Sequence, residues 1–371
     1  MAKERAQRWA ATMQGQRAGV FRLAHDDSAA HLAAQAPLAR VDREALERAT
    51  LADGATLSSG AGSRRVEESP DLMRTCFQRD RDRILHFNAF RRLAGKTQVF
   101  IFPADHQRTR LTHALEVAQV ATSIGRALRL NVALVEAIAL GHDCGHGPGG
   151  HASEDALSPY LAEGYDHAVW GADVVLDDLN LCGETLDGIR NHSWSRPAPG
   201  TPEGEVVSWA DRIAYVCHDF EDAIEAGITT PGMLPEPVRA ACGASRREQL
   251  ASFISAVVDT ASTHGVVGMT SHLADALASF RAFNYEHIYL RPASQRQAQL
   301  VIEVLRALVE SYADRPNLLP RERGGGLIAG SDDALRCAVG YVAGMTDRFA
   351  VRCAVSQLGW DVTKLQAFSP G

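Results

Sequence analysis

From Asp71 to about residue 357 the apolar residues recur three to four positions apart, and no run of any length alternates apolar with polar. Side chains on a strand alternate with period two, so a chain patterned this way cannot coat one face of a sheet and must bury its stripes helix against helix. LTHALEVAQVATSIGRAL (111–128) puts Leu111, Leu115, Ala118 and Ala121/Thr122 on one stripe. VALVEAIALGHD (132–143) is apolar nearly all round, which predicts a helix inside the bundle rather than on its surface. Helical patterns continue over 166–192, 204–226, 246–262, 270–287, 293–314 and 332–357, with Pro- and Gly-rich breaks at 193–203, 227–237 and 315–331. The expected fold class is all-α. Residues 1–62, Ala-rich and ending in LSSGAGS, read as a partly helical or disordered lead-in, and 63–371 as a single helical domain.

With 371 residues and 46% hydrophobic content the chain has ample material for a core. Its seven cysteines are scattered, odd in number and without a C-x-x-C pair, which points to a reducing, cytoplasmic setting. The N-terminus lacks the apolar segment of a secretory signal, and no run reaches the ~18 apolar residues of a membrane span. A net charge of -7 argues against a nucleic-acid-coating protein. One stretch departs from that balance: between Arg79 and Arg110 eight basic residues face three acidic ones. That excess suits a compact polyanion, although the alternating RDRDR would equally form a solvated, ion-paired helix face.

Chemistry concentrates in GHDCGHGPGGHASE (141–154), which holds three histidines, two carboxylates and five glycines. The buried helix ends at His142 and Asp143, whose side chains point ~100° apart, so one metal can take both only at a helix end or groove. His113 lies on the preceding amphipathic helix, which antiparallel packing would bring opposite His142. SWADRIAYVCHDFEDAI (208–224) adds Asp211, with Tyr215 and Asp219 one and two turns on along the same face. Two imidazoles and two carboxylates without thiolate suit Mn, Fe or Mg, with Zn as a further candidate, and leave positions for water.

The spacing H...HD...D, met by His113, His142, Asp143 and Asp211, resembles that of the HD-domain superfamily. RTCFQRDRDRILHFNAFRRLAGKTQVF (74–100), RTRLTHALEVAQVA (108–121), GHDCGHGPGGHASEDAL (141–157), SWADRIAYVCHDFEDAI (208–224), FNYEHIYLRP (283–292) and YVAGMTDRFA (341–350) are similar to the deoxynucleoside triphosphate triphosphohydrolase, or dGTPase-like, branch. The resemblance implies an HD-domain helical bundle with additional helices, its metal-binding core at about 108–226. It implies hydrolysis of a dNTP at the α-phosphorus to deoxynucleoside and tripolyphosphate. In that reading His151 is general acid or phosphate contact, Glu154 orients it or assists the attacking water, and His146 and His167 complete the α-phosphate environment. Arg110 clamps phosphate, Arg212 and Tyr215 flank Asp211 at the phosphates and sugar, and Gln98 reads the nucleoside with Asp219 nearby. Tyr215 packed on the sugar would exclude a 2′-hydroxyl. Tyr285 and Tyr289 are base-stacking candidates or core residues.

A homo-oligomer, tetramer or hexamer, is implied too, and a dNTP activator is permitted. The rivals are another HD phosphohydrolase, such as a nucleotidase or guanosine tetraphosphate hydrolase, and a low-turnover nucleotide-binding regulator. This chain departs from the family at Gly149, where an aromatic is usual and whose absence should loosen the glycine loop, at Cys144 after HD, and across Gly183 to Asn191.

Overall fold

The apolar 132–141 segment organises the fold because four neighbouring helices pack around it. The structure is a computed structural model whose described residues are 2–12, 15, 20–25, 27–101 and 107–361. They form two units, residues 1–38 and 39–371. In the first, α1 (Ala2–Thr12) is exposed over residues 2–11; other parts of the expected lead-in, residues 13–14, 16–19 and 26, lie outside the described residues.

The second unit opens at Ala39 rather than at residue 63. α2 (Arg40–Thr50) belongs to it, and polar contacts fasten the chain that follows. Glu47 accepts bonds from the Ser58 amide and hydroxyl. Buried Glu203 accepts from the Thr56 amide and hydroxyl and from the Asn131 amide.

Then come α3 (Cys76–His86), α4 (Asn88–Arg92), α5 (Arg110–Ala127), α6 (Val132–Gly141), α7 (Ala152–Leu157), α8 (His167–Trp170) and α9 (Gly183–Arg190). After these follow α10 (Pro202–Glu225), α11 (Glu236–Cys242), α12 (Arg246–His264), α13 (Ser271–Asn284), α14 (Pro292–Asp314), α15 (Arg321–Gly324), α16 (Asp332–Ala343) and α17 (Asp347–Leu358). No strand occurs among the described residues, only two isolated bridges.

One core gathers α3, α5, α6, α9, α10, α12 and α13, and a smaller one packs α14, α16 and α17 on α7. α6 starts where the Asn131 side chain accepts from the Leu134 amide, a satisfied N-cap. Its Leu134, Val135, Ile138 and Leu140 are at most 2% exposed because α5, α3, α9 and α10 surround it.

Two long helical readings are broken. Residues 166–192 contain α8, a π-helical turn over Gly171–Val175 and α9, separated at Asn180, which sits in the left-handed region at φ 48°. Residues 332–357 split at Gly344 to Thr346 into α16 and α17. Short helices that each show an apolar side to the core keep the period of a long one, so periodicity alone does not reveal the break.

Candidate active site

His113 stands in the second turn of α5 and His142 at the end of α6, and the crossing of these helices puts their rings 5.5 Å apart. Asp211, mid-way along α10, completes the approach: its Oδ1 is 3.0 Å from His113 Nε2 and 3.7 Å from His142 Nε2. Asp143 lies 3.4 Å from His142 Nε2 and 4.0 Å from His113 Nε2. Donor atoms around one six-coordinate ion at about 2.1 Å are separated by roughly 3.0 Å when adjacent and 4.2 Å when opposite. All four separations fall in that window.

The His142 tautomer is set for ligation. Its Nδ1 is 2.7 Å from the Ala139 carbonyl, which can only accept, so the hydrogen is on Nδ1 and the lone pair on Nε2. That Nε2 is buried and makes no hydrogen bond. A buried orphan acceptor aimed at two carboxylates fits a metal.

Electrostatics agree with this donor set. Burial would raise the Asp143 carboxyl, but the Arg110 guanidinium 2.7 Å away and the His142 and His146 rings hold it well below the usual range. Burial likewise opposes, and His113 and His142 overcome, a lowering of Asp211. Both carboxylates therefore stay ionised at neutral pH.

The glycine loop wraps this cluster. At Gly145 a side chain would lie 2.0 Å from the His167 carbonyl oxygen, so only glycine lets the loop touch α8. This approach stacks His146 on His167 with ring centres 3.6 Å apart and leaves His146 Nε2 3.2 Å from Asp143. His151 opens onto the cavity 5.2 Å from His146. His151 keeps an exposed face, and its partial enclosure together with the nearby Arg110 charge lowers its imidazole.

Glu154 does not hold His151: it bonds Nδ1 and the backbone amide of His167. Burial would raise the Glu154 carboxyl, but that partnership takes it down to about 2. Gly149 also differs from expectation, since the loop is pinned rather than loosened. Its φ is 74°, its amide donates to Asp347 Oδ1 at 2.9 Å, and a side chain there would meet Val301 at 2.5 Å. Asp347 also accepts from the Thr97 amide, and buried Lys96 caps the His146 and Ala343 carbonyls.

These groups line a cavity of about 820 Å³ where the two cores meet. Of the fifteen residues singled out above, His142 is behind its wall and Gln98, Arg110, His113, Asp143, His146, His151, Glu154, His167, Asp211, Arg212, Tyr215, Asp219, Tyr285 and Tyr289 line it. Along the cavity wall Tyr289 donates to Asp219, whose other oxygen has no partner and whose carboxyl burial pushes up to about 7. Arg281 donates to the hydroxyls of Tyr215 and Tyr285, at 2.8 and 3.0 Å.

The basic stretch resolves mostly into internal pairs. Arg79 and Arg83 bind Glu68, Arg81 binds Asp82 and Glu136, and Arg108 binds Glu116, Glu221 and Asp222. Only Arg110 of the stretch's arginines reaches the cavity.

Four cavity or loop residues were not singled out from the sequence: His192, Trp194, Arg281 and Asp347. Arg281, one turn before Tyr285, carried a legible signal, since an arginine four residues before a tyrosine shares its helix face. Trp194 stacks under Arg212, 3.7 Å from ring centre to guanidinium. His192 lies beside His142, with ring centres 4.9 Å apart.

Residues 110–216 match the HD domain family, and 267–355 match the phosphohydrolase-associated domain. A deoxyguanosinetriphosphate triphosphohydrolase-like protein of Caldanaerobacter subterraneus subsp. tengcongensis is 41% identical over 83% of this chain and 92% of its own. The chain belongs to this family of HD-domain proteins. A like-named protein of Clostridium perfringens (strain 13 / Type A) is 40% identical over 84% of this chain and 94% of its own. A solved structure from Aquifex aeolicus is 17% identical, covers 78% of this chain and 71% of that one, and has a TM-score of 0.46. As an HD-domain protein the chain is a phosphohydrolase, and its His/Asp cluster can bind a metal.

Proposed function

We propose that the enzyme hydrolyses deoxynucleoside triphosphates at the α-phosphorus, releasing deoxynucleoside and tripolyphosphate. The observation that carries this reading is a single cavity that brings the His/Asp metal-donor set together with His151, Arg110, Arg212, Gln98, Asp219 and three tyrosines. Its volume suits a nucleotide-sized ligand, and its relatives carry the matching name.

A divalent ion, Mn, Mg, Fe or Zn, held by His113, His142, Asp143 and Asp211 would supply a water of lowered pKa and a Lewis acid for a phosphoryl oxygen. His151 delivers a proton to the departing 5′-oxygen. Its imidazole is neutral in the free enzyme, and the negative charge of an arriving triphosphate favours the protonated form, so the acid is armed when substrate is seated. Glu154 acts through His167, whose Nδ1 it fixes, and His146 stacks on that ring. Arg110, paired with Asp143, has two buried nitrogens without partners and can turn them to phosphate oxygens. Arg212, held flat on Trp194, offers a second fork. Tyr215 would close off space beside the sugar against a 2′-hydroxyl, Gln98 and Asp219 would take the 3′-hydroxyl or base edge, and Tyr285 and Tyr289 would stack on the base. Action in the cytoplasm as a tetramer or hexamer, with a dNTP as activator, belongs to the same reading.

The test is anion-exchange analysis of products from the four dNTPs, singly and mixed, with Mn or Mg. Tripolyphosphate is expected; pyrophosphate or single phosphate would refute attack at the α-phosphorus. A tetramer or hexamer is expected by light scattering.

A further inference from the structure

Asp347 heads α17 in the smaller core and is buried, yet its side chain bonds to segments outside that core. One carboxylate oxygen accepts from the amide and the hydroxyl of Thr97, the amide at 2.9 Å. The other accepts from the Gly149 amide, also at 2.9 Å. Lys96, next to Thr97, sends its buried ammonium to the carbonyls of His146 and of Ala343, the last residue of α16. The turn between α16 and α17 comes so close that a side chain on Gly95 would lie 2.8 Å from that of Thr346.

These bonds tie the glycine loop to the helix that carries His113. Thr97 is bridged to Thr109, just ahead of α5, and the Arg110 amide donates to the Lys96 carbonyl. Gly149 stands two residues before His151 in a loop with glycines at 145, 147, 149 and 150. Such a loop loses more conformational freedom on ordering than ordinary chain, so it needs fixed partners to keep one shape. A buried acceptor shared by the Thr97 and Gly149 amides is one. Asp347 itself stays behind the wall: Thr97, Gly149 and His151 line the cavity and it does not.

We propose that Asp347 is a positioning residue for the reaction, a peg through which the smaller core sets the glycine loop and with it His151. The proposal rests on the proton-donor role given to His151 above. Three donors converge on Asp347, and a carboxylate takes all of them; a carboxamide keeps one oxygen and turns an N–H toward the donors on its other side. A displacement of about 1 Å at a reacting group costs about 10²-fold in rate, so the loss belongs in kcat. The proposed metal ligands sit on α5, α6 and α10 or just past α6 and keep their ion.

The test is a double-mutant cycle on the full chain with Mn: wild type, Asp347→Asn, His151→Ala and the double variant, each assayed for kcat, KM and bound metal. Asp347→Asn is expected to lose about 30-fold in kcat, with KM changed less than about 3-fold and metal content unchanged. Added to His151→Ala, the same change should lower kcat by less than about 3-fold further, because the group it positions is gone. Losses that multiply in the double variant make the role structural only and overturn the proposal, as does an undiminished kcat in Asp347→Asn. Hydrogen exchange of the metal-loaded chains decides without turnover. Faster exchange in Asp347→Asn confined to residues 95–98 and 146–151 is expected; unchanged exchange there, or a rise throughout α14, α16 and α17, counts against the peg. Should His151→Ala keep full turnover, the role given to His151 falls, and the exchange pattern still tells whether Asp347 holds the loop. If Asp347→Asn does not fold, Thr97→Val takes its place: it removes one donor of three, and an about 5-fold fall in kcat that vanishes on the His151→Ala background is expected. An unchanged kcat in Thr97→Val then overturns the proposal.

Discussion

Single residues in the cavity differ in what they would lose on replacement. Asp211→Ala removes one of the four proposed metal donors, so metal content and activity should disappear together. His151→Ala leaves the ligands untouched and should keep its metal while turnover falls by about 10²-fold or more; elemental analysis beside initial rates separates the two, and retained turnover would strip His151 of its role. Asp219 makes a pH prediction. Burial lifts its folded-state carboxyl from 3.8 to about 7, so between those values the native protein binds a proton that the unfolded chain has released. Stability therefore falls as pH rises through that window and levels above it, by no more than about 4 kcal/mol. A carboxamide at this position cannot titrate, so in chelator-treated protein the melting temperature of Asp219→Asn should gain on wild type from about pH 5 to about pH 8. An unchanging difference would place the Asp219 carboxyl near its ordinary value.

At the scale of elements, the glycine loop is held by what it lacks as much as by what it bonds. Gly149 sits at φ 74° with Val301 where a side chain would go. Gly149→Ala should lose roughly 2–4 kcal/mol, part from the left-handed backbone and part from the clash. Combining it with Val301→Ala should return the steric share and not the conformational one, which denaturant titration of the four proteins in the cycle would resolve. Full additivity would mean that Val301 does not crowd the loop. Asp347 ties the same loop to the start of α17. GMTDR carried the signal for that helix start, a threonine followed by an aspartate. Its link to Thr97 and Gly149, far apart in sequence, could not be seen before the helices were packed.

The whole molecule depends on a buried ion pair remote from the cavity. Asp80 on α3 is fully buried and accepts from Arg64 at 2.7 Å, from the Cys182 amide and from the Thr185 hydroxyl. It thereby joins the 59–66 segment and α9 to the central core. Asp80→Ala leaves buried Arg64 with Glu68, 3.0 Å away, as its remaining counter-charge and leaves the Cys182 amide and Thr185 hydroxyl without their acceptor, and should lower stability by about 2–4 kcal/mol with no change in metal content of the folded fraction. A loss below about 1 kcal/mol would show that water reaches the pair. No helix among the described residues is long and apolar enough to cross a membrane.

Helical class and the buried 132–141 helix were legible because each depends on local spacing, apolar period and glycine stops, and the residues of the H...HD...D set were legible through the resemblance of short motifs on separate segments to those of HD-domain proteins. Tertiary structure decided which charges remain available. Arg79, Arg81, Arg83 and Arg108 spend theirs on carboxylates brought from other segments of the chain, while Arg110 alone of that stretch's arginines reaches the cavity. It also decided that Glu154 serves His167 rather than His151, and that His192, an isolated histidine after a short helix, belongs beside His142. Such assignments turn on distances of a few ångströms between segments tens of residues apart, and only the packing of α5, α6, α8, α9 and α10 around one point sets them.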